Sequence, residues 1–271
     1  MFDSLFADGR RPVIGMVHLP ALPGAPRFDG DRAGILEAAE RDARRLAAGG
    51  VDAVMVENFG DAPFYPDDVP KHVVASMTRA TRAVVETVDV PVGVNVLRND
   101  AEADLSVAAA AGADFVRVNV HTGARVTDQG VIEGKAHETM RLRERLDADV
   151  AVLADHDVKH SAPIAARGFT AESVADGVER GLADAVVVSG TGTGHETDRS
   201  DLEHAVERRD ANDLDTPVLV GSGVTADSVS DLLDLADGVI VGTALKDDGD
   251  VGNPVSESRV RDLVDAARGH E

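Results

Sequence analysis

Four stretches of the chain repeat one arrangement of apolar and polar positions. Val51-Asp52-Ala53-Val54-Met55-Val56-Glu57, Ala113-Asp114-Phe115-Val116-Arg117-Val118-Asn119, Ala183-Asp184-Ala185-Val186-Val187-Val188-Ser189 and Ala236-Asp237-Gly238-Val239-Ile240-Val241-Gly242 each set an aspartate just ahead of a short apolar run. Four further β-branched runs lie between them, at 12–18, 91–97, 149–155 and 217–221. Three of these open on Pro12, Pro91 or Pro217, a residue tolerated at the first position of a strand. Ala, Leu and Val recur at 3-to-4 spacing over 31–48, 67–87, 100–111, 136–147, 170–181, 198–210, 225–235 and 256–268, which predicts helices. Asn99-Asp100, Thr170 with Glu172, and Thr225 with Asp227 supply start signals. Eight strands alternating with eight helices predict an α/β chain folded as a single (β/α)8 TIM barrel over 1–271, with no interdomain linker. The repeated aspartates, 62, 70 and 53 residues apart, fit four quarter-barrel units. A doubly wound open sheet is the alternative.

Strand parity selects the residues at the barrel mouth. Positions 54/56, 116/118, 186/188 and 239/241 are all Val, which suits a face packed on helices. The alternate face is varied and turns polar at its C-terminal end, so it should point inward. One residue per strand then forms a ring of His18, Glu57, Asn95, Asn119, Asp155, Ser189, Gly221 and Gly242 at the catalytic end of such barrels. Parity also sends Arg117 inward, one layer lower, either as an internal ion pair with Glu57 or Asp155 or as a group that orients a catalytic carboxylate or touches substrate.

The seventh and eighth strands run into Gly221-Ser222-Gly223-Val224-Thr225 and Gly242-Thr243-Ala244. Glycines there let backbone N–H groups approach an anion, and a following helix N-terminus adds its dipole. This predicts a phosphate site on Gly221, Ser222, Gly223, Gly242 and Thr243. The same GSGVTA run matches the looser dinucleotide fingerprint, but Gly242 and Thr243 stand where that fingerprint needs an acid, so a Rossmann reading fails. Gly190-Thr191-Gly192-Thr193-Gly194 is a second anion-friendly loop, with Thr191 as a substrate contact.

Asp155, Glu57, His18 and Lys159 are the candidate catalytic groups, able to move protons beside a carbonyl or sugar ring. Asp155, at its strand end, has the best predicted position. Asn95, Asn119, Arg117, His160 and Ser189 are candidate substrate contacts. His18, Glu57, Asp155 and His160 could assemble a divalent metal site, but no local ligand spacing supports one, and no cofactor is predicted. The Pro-rich stretch 18–28 and the polar connector 119–135 are long enough for binding loops or lids.

Composition adds further constraints. Lys+Arg 27 against Asp+Glu 49 gives a net charge of −22, the wrong sign for binding nucleic acid through its phosphates. Four lysines (71, 135, 159 and 246) and an excess of Asp over Glu resemble adaptation to a high-salt cytoplasm. The chain has no cysteine, which removes disulfides, thiolate ligands and a cysteine base. No signal-like N-terminus or membrane-length apolar run is present, so a cytoplasmic protein without an integral membrane segment is expected. Homo-oligomerisation is left open.

Several of these segments together resemble the BtpA/SgcQ family, as a member of haloarchaeal type. They are residues 14–26 (IGMVHLPALPGAP), 57–64 (ENFGDAPF), 95–100 (NVLRND), 117–120 (RVNV), 127–130 (TDQG), 158–160 (VKH) and 221–225 (GSGVT). The resemblance covers essentially the whole chain. It implies a role linked to photosystem I biogenesis in one branch and a place among sugar-metabolism genes in another, without a settled reaction. Barrels with this phosphate site also resemble phosphoribosylanthranilate isomerase and the ribulose-phosphate-binding barrels, although the cysteine base typical of that isomerase has no counterpart here. The expected function is an enzyme on a small phosphorylated metabolite, a sugar phosphate or phosphoribosyl compound, by isomerase or lyase chemistry. The alternative is a non-catalytic biogenesis or stability factor for a membrane complex.

The charge pattern makes one expectation of its own. Raising KCl from about 0.1 M to about 1 M shortens the Debye length from about 10 Å to about 3 Å and relieves repulsion among surface carboxylates. The melting temperature should therefore rise steadily over that range, followed by circular dichroism. A flat or falling curve would remove the high-salt reading.

Overall fold

The computed structural model describes residues 2–164, 174–190 and 197–269. Its strands are β1 Val13–His18, β2 Ala53–Glu57, β3 Val92–Asn95, β4 Phe115–Val118, β5 Ala124–Thr127, β6 Gly130–Glu133, β7 Ala151–His156, β8 Ser161–Pro163, β9 Ala185–Val188, β10 Val218–Val220 and β11 Gly238–Val241. Its helices are α1 Arg32–Gly49, α2 Lys71–Val85, α3 Ala101–Ala111, α4 Ala136–Arg145, α5 Arg199–Ala211, α6 Val229–Leu233 and α7 Glu257–Arg268. Eight parallel strands close in the order β1-β11-β10-β9-β7-β4-β3-β2, the expected (β/α)8 barrel. Among the described residues, no helix is long and apolar enough to cross a membrane.

The repeated aspartate has a single structural job in all four units. The Asp52 carboxylate accepts from the Val13 N–H at 2.9 Å, Asp114 from Val92 at 2.9 Å, Asp184 from Val152 at 2.7 Å and Asp237 from Val218 at 2.8 Å. Each aspartate's own N–H returns a hydrogen bond to the carbonyl of the same residue, at 2.7–2.9 Å. One residue on the later strand of each pair thus grips both backbone groups of one residue on the earlier strand. That sets the register at the barrel base, where a slip of one residue would turn every side chain to the wrong face.

With the register set, the two faces separate as parity predicts. Val54, Val56, Val116, Val118, Val186, Val188, Val239 and Val241 pack with helix residues in the outer core. Ile14, Met16, Met55, Phe115, Leu153, Val187, Leu219 and Ile240 fill the barrel axis in a separate core. The N-terminal 3₁₀ segment Phe2–Gly9 closes the base, with the Phe2 ring centroid 5.6 Å from that of Phe115. Gly93 leaves the space that Phe115 occupies, since a Cβ there would lie 2.1 Å from the ring.

Three features depart from the sequence reading. The connector 119–135 folds into the β5–β6 hairpin, which β8 extends into a three-stranded antiparallel sheet above the barrel. The stretch 18–28 packs down rather than standing open: Leu19 and Leu22 are buried, and the Leu22 N–H donates to Asp61 at 2.7 Å. Regular helix after β10 is confined to the five residues of α6, and Thr225–Ser228 form a turn ahead of it. The start signal Thr170 lies outside the described residues; of that helix, the described part ends in a π-helical turn at Asp176–Arg180.

Asp114 forms no ion pair among the described residues, so it isolates the clamp. Asp114→Ala should destabilise the fold by about 1–3 kcal/mol by leaving the buried start of β3 without its acceptor. Urea unfolding at fixed KCl measures it, and an unchanged midpoint would mean that the clamp does not hold the register.

Candidate functional site

The C-terminal ends of the strands open into a cavity of ≈ 630 Å³ lined in part by His18, Glu57, Arg117 and Lys159. Gly221, Ser222, Gly223, Gly242 and Thr243 line the same cavity. The pairing of β1, β2 and β3 sets His18 beside Glu57 and Glu57 beside Asn95, so three ring residues stand in one row. Asn95 donates from Nδ2 to Glu57 Oε2 at 2.9 Å, while Glu57 Oε1 lies 3.7 Å from His18 Nε2. The imidazole stacks on Phe59 with centroids 4.7 Å apart, and its buried Nδ1 has no partner among the described residues. Burial, then the positive charges of Lys246 and Lys159, hold the His18 pKa well below 6.5, so the ring is neutral at neutral pH.

Arg117 pairs with Asp155, one of the two carboxylates the sequence offered it. Its Nε and Nη2 donate to the two Asp155 oxygens at 2.8 and 3.1 Å, and Nη2 also reaches Ser189 Oγ at 3.1 Å. Asn119 Nδ2 adds a third hydrogen bond to Asp155, at 2.7 Å. Burial opposes the guanidinium charge, but the Asp155 carboxylate outweighs it and raises the Arg117 pKa. The Asp155 oxygens are therefore occupied by its neighbours, and it is absent from the main cavity lining. Glu57 takes the position that the sequence reading favoured for Asp155. Asn119 and Asp155 instead border a void of ≈ 40 Å³ on the far side of the pair.

Lys159 enters from the segment after β7. Arg98, buried at 4% exposure, hydrogen-bonds through its guanidinium to the Lys159 carbonyl oxygen and so fixes the backbone there. Among the described residues the Lys159 ammonium donates no hydrogen bond and has no carboxylate oxygen within 4.0 Å. Burial lowers its pKa, with Glu57 acting in the opposite sense.

At the other end of the cavity the anion cradle is narrower than the sequence suggested. The Gly221 N–H donates to the Val188 carbonyl at 2.9 Å, so it belongs to the sheet and is not free for a ligand. Gly221 contributes room instead, because a Cβ there would lie 3.0 Å from Ile240. Gly223 adopts φ +72°, a conformation that L side chains rarely take. Neither the Gly223 nor the Thr243 N–H donates to another backbone group among the described residues. Gly242 is required by His18, whose Cε1 would lie 2.8 Å from an added Cβ. The helix dipole drops out of the account, since α6 is one short turn set back from the loop.

One expected member lies elsewhere, and another falls outside the described residues. His160 is exposed and faces a separate groove with His156, so it does not join His18, Glu57 and Asp155. Among the described residues no three His, Asp or Glu side chains converge as a metal-ligand group. Thr191 lies outside the described residues, as does most of the loop it belongs to.

The sequence reading missed Arg98, Phe59 and Arg259, the last lining the cavity from α7. Arg98 and Phe59 sit inside the segments quoted above, yet nothing local marked them as neighbours of Lys159 and His18. Other residues of those segments brace loops. Asn58 Oδ1 accepts from Leu97 N–H at 2.7 Å, Asn99 exchanges two hydrogen bonds with the Val120 backbone, and Asp100 caps α3.

The buried imidazoles make stability depend on pH with a definite sign. In the unfolded chain His18 takes up a proton near pH 6.5, whereas the folded chain refuses it until lower pH. Stability should therefore fall as pH drops below 6.5, by up to about 1.4 kcal/mol per pH unit for each such group, and be unaffected above it. His121 and His156, also lowered by burial, act in the same direction. His18→Gln should reduce the slope without abolishing it, read from urea unfolding across that range; an unchanged slope would show His18 protonated in the fold.

A solved thiamine phosphate pyrophosphorylase from Pyrococcus furiosus superposes with a TM-score of 0.58 at 14% identity, over 96% of each chain. N-(5'-phosphoribosyl)anthranilate isomerase from the same organism gives 0.52 at 14% identity, over 96% of this chain and all of the other. These likenesses establish the barrel fold. By sequence, the chain is 50% identical over 259 residues to an uncharacterized protein of Thermococcus kodakarensis, covering 96% of both. It is 46% identical to the photosystem I biogenesis protein BtpA of Synechocystis, over 94% of this chain and 87% of the relative. The BtpA family model matches residues 9–269, and the chain belongs to the BtpA family.

Proposed function

We propose that this barrel is an enzyme acting on a small phosphorylated metabolite, a sugar phosphate or phosphoribosyl compound, by acid–base chemistry of the isomerase or lyase type. The observation that carries the reading is one cavity joining two glycine-rich loops at one end to Glu57 and Lys159 at the other. The N–H groups of Gly223 and Thr243, with the Thr243 hydroxyl, would hold the phosphate. Arg259, on the same wall, would add a cation.

Glu57 is the proton carrier in this scheme. Asn95 holds one of its oxygens in place, and the other faces His18, which is neutral and can orient a substrate hydroxyl or carbonyl. Asp155 acts as a positioning residue: through Arg117 it fixes a guanidinium under the substrate. Lys159 lines the same cavity as the phosphate loops. The names of the superposable enzymes include a phosphate and a phosphoribosyl group, which is consistent with this class of ligand. The acidic surface fits a protein working in a salt-rich cytoplasm. The biogenesis role in the Synechocystis relative's name is the second reading, and it needs no such arrangement of unpaired polar groups.

Thermal-shift screening of sugar phosphates and phosphoribosyl compounds in molar KCl tests the proposal. A ligand at about 100-fold its Kd should stabilise by about 2.7 kcal/mol, a shift of a few degrees in this size of chain. Gly223→Asp should abolish the shift by placing a carboxylate against the phosphate. Glu57→Gln should keep the shift and lower turnover by about 10²-fold or more once a reactive ligand is in hand. No response to any phosphorylated compound would favour the assembly role.

A further inference from the structure

We infer that Lys159 is a nucleophile whose amine condenses with an aldehyde or ketone carbonyl of the ligand in this cavity to form an imine. The inference rests on the phosphorylated-metabolite reading above and narrows it to substrates that carry a carbonyl within reach of the wall formed by Glu57 and Lys159.

The four lysines separate by environment. Lys71 is exposed at the start of α2. Lys135 donates to Asp67 at 2.6 Å, and the fully buried Lys246 donates to Asp42 at 2.9 Å. Lys159 lines the cavity, and among the described residues its ammonium has neither a hydrogen bond nor an ion pair. Burial, the largest influence, lowers its pKa; Glu57 and Asp155 favour the charged form, while Arg117 and Arg98 act with burial against it, and the net shift is downward. The backbone on which it stands is fixed by the buried Val158 and by the Arg98 bond to its own carbonyl. A residue needed only as a cation at this wall would be equally served by arginine, which makes up 23 of the 27 basic residues in the chain. Arginine keeps its proton in proteins, whereas a desolvated lysine can lose it and become a nucleophile.

The step balances within the cavity. The Nζ lone pair adds to the carbonyl carbon, the C=O π pair moves to oxygen, and that oxygen takes a proton. Loss of one water from the carbinolamine leaves the iminium ion, and hydrolysis by the reverse path restores the free amine. Glu57, across from His18 on the same wall, can give and take the protons. No oxidant or reductant is required.

The full-length protein in molar KCl is mixed with glyceraldehyde 3-phosphate, dihydroxyacetone phosphate or unphosphorylated glyceraldehyde, then reduced with sodium borohydride and peptide-mapped by mass spectrometry. The phosphorylated probes should label Lys159 at least about 10-fold faster than exposed Lys71, as expected of an activated amine. Lys159→Arg should lose that label with its circular dichroism unchanged. Reductive methylation with formaldehyde and cyanoborohydride needs no ligand recognition and is the second measurement: at pH 7 Lys159 should react ahead of Lys71. Slower methylation of Lys159 than of Lys71 overturns the inference. So does fast methylation with no borohydride adduct from any of the three carbonyl probes. A melting shift with sugar phosphates but no adduct at Lys159 overturns this inference and leaves the phosphate reading standing. Equal labelling of Lys159 by glyceraldehyde and its phosphate supports the amine chemistry and counts against the phosphate reading.

Discussion

The barrel is organised by a two-way hydrogen bond between an aspartate and the first paired residue of the neighbouring strand, repeated four times around its base. A parallel sheet has no tight turn to fix register, since each strand returns through a helix. Something at the strand starts must hold the alignment, and in this chain the carboxylate does so. Everything above depends on it. With Val13 locked to Asp52 and Val92 to Asp114, His18, Glu57 and Asn95 stand side by side five or three residues further along their strands. A shift of one residue would bury Glu57 in the outer core and present Val56 to the cavity.

This explains why so much of the fold can be read in the amino-acid order. The aspartate marks where each later strand begins, and the valines two and four residues on mark its outer face. The polar ring then follows by alternation. Alternation assigns a face to a side chain, but it does not say which neighbour takes its hydrogen bonds. Asp155 and Glu57 look equivalent on that basis. Only the structure shows Asp155 held by Arg117 and Asn119, while Glu57 keeps an oxygen toward the cavity. The same limit applies to Gly221: its place at the rim is legible, yet its N–H is engaged by Val188. The hairpin in 119–135 escaped for another reason. Its strands are four residues each and mostly polar or half-exposed, so no clear alternation announces them.

The segments that carry the family resemblance divide in two. Some place groups in the cavity, as His18, Glu57, Lys159 and Gly223 do. Others brace the loops that hold those groups. Asn58 and Asn99 satisfy the backbone of adjacent loops, and Asp104, whose pKa burial raises well above 3.8, accepts from the Val96 N–H just after β3. A motif containing Asn and Asp near a barrel mouth invites a catalytic reading for each residue. Here the fully hydrogen-bonded members are framework, and those with open valences at the cavity are the candidates for chemistry.

That distinction gives the two interior lysines opposite meanings. Lys246 faces Asp42, whose other oxygen already accepts from the Arg41 guanidinium and the Val255 N–H. A compact ammonium completes that cluster, and the pair ties α1 to the segment after β11. The Lys246 charge has a partner within hydrogen-bond reach, which offsets part of the burial that lowers its pKa. Lys159 is half-buried on the cavity wall and has no such partner among the described residues, and burial lowers its pKa as well. An unpaired buried cation is destabilising unless a ligand anion neutralises it or the proton leaves. In the first case the cavity binds phosphate or carboxylate at that wall, and in the second it holds a free amine. On either outcome the proposed chemistry rests on the unpaired Lys159 side chain at the cavity wall more than on the barrel around it.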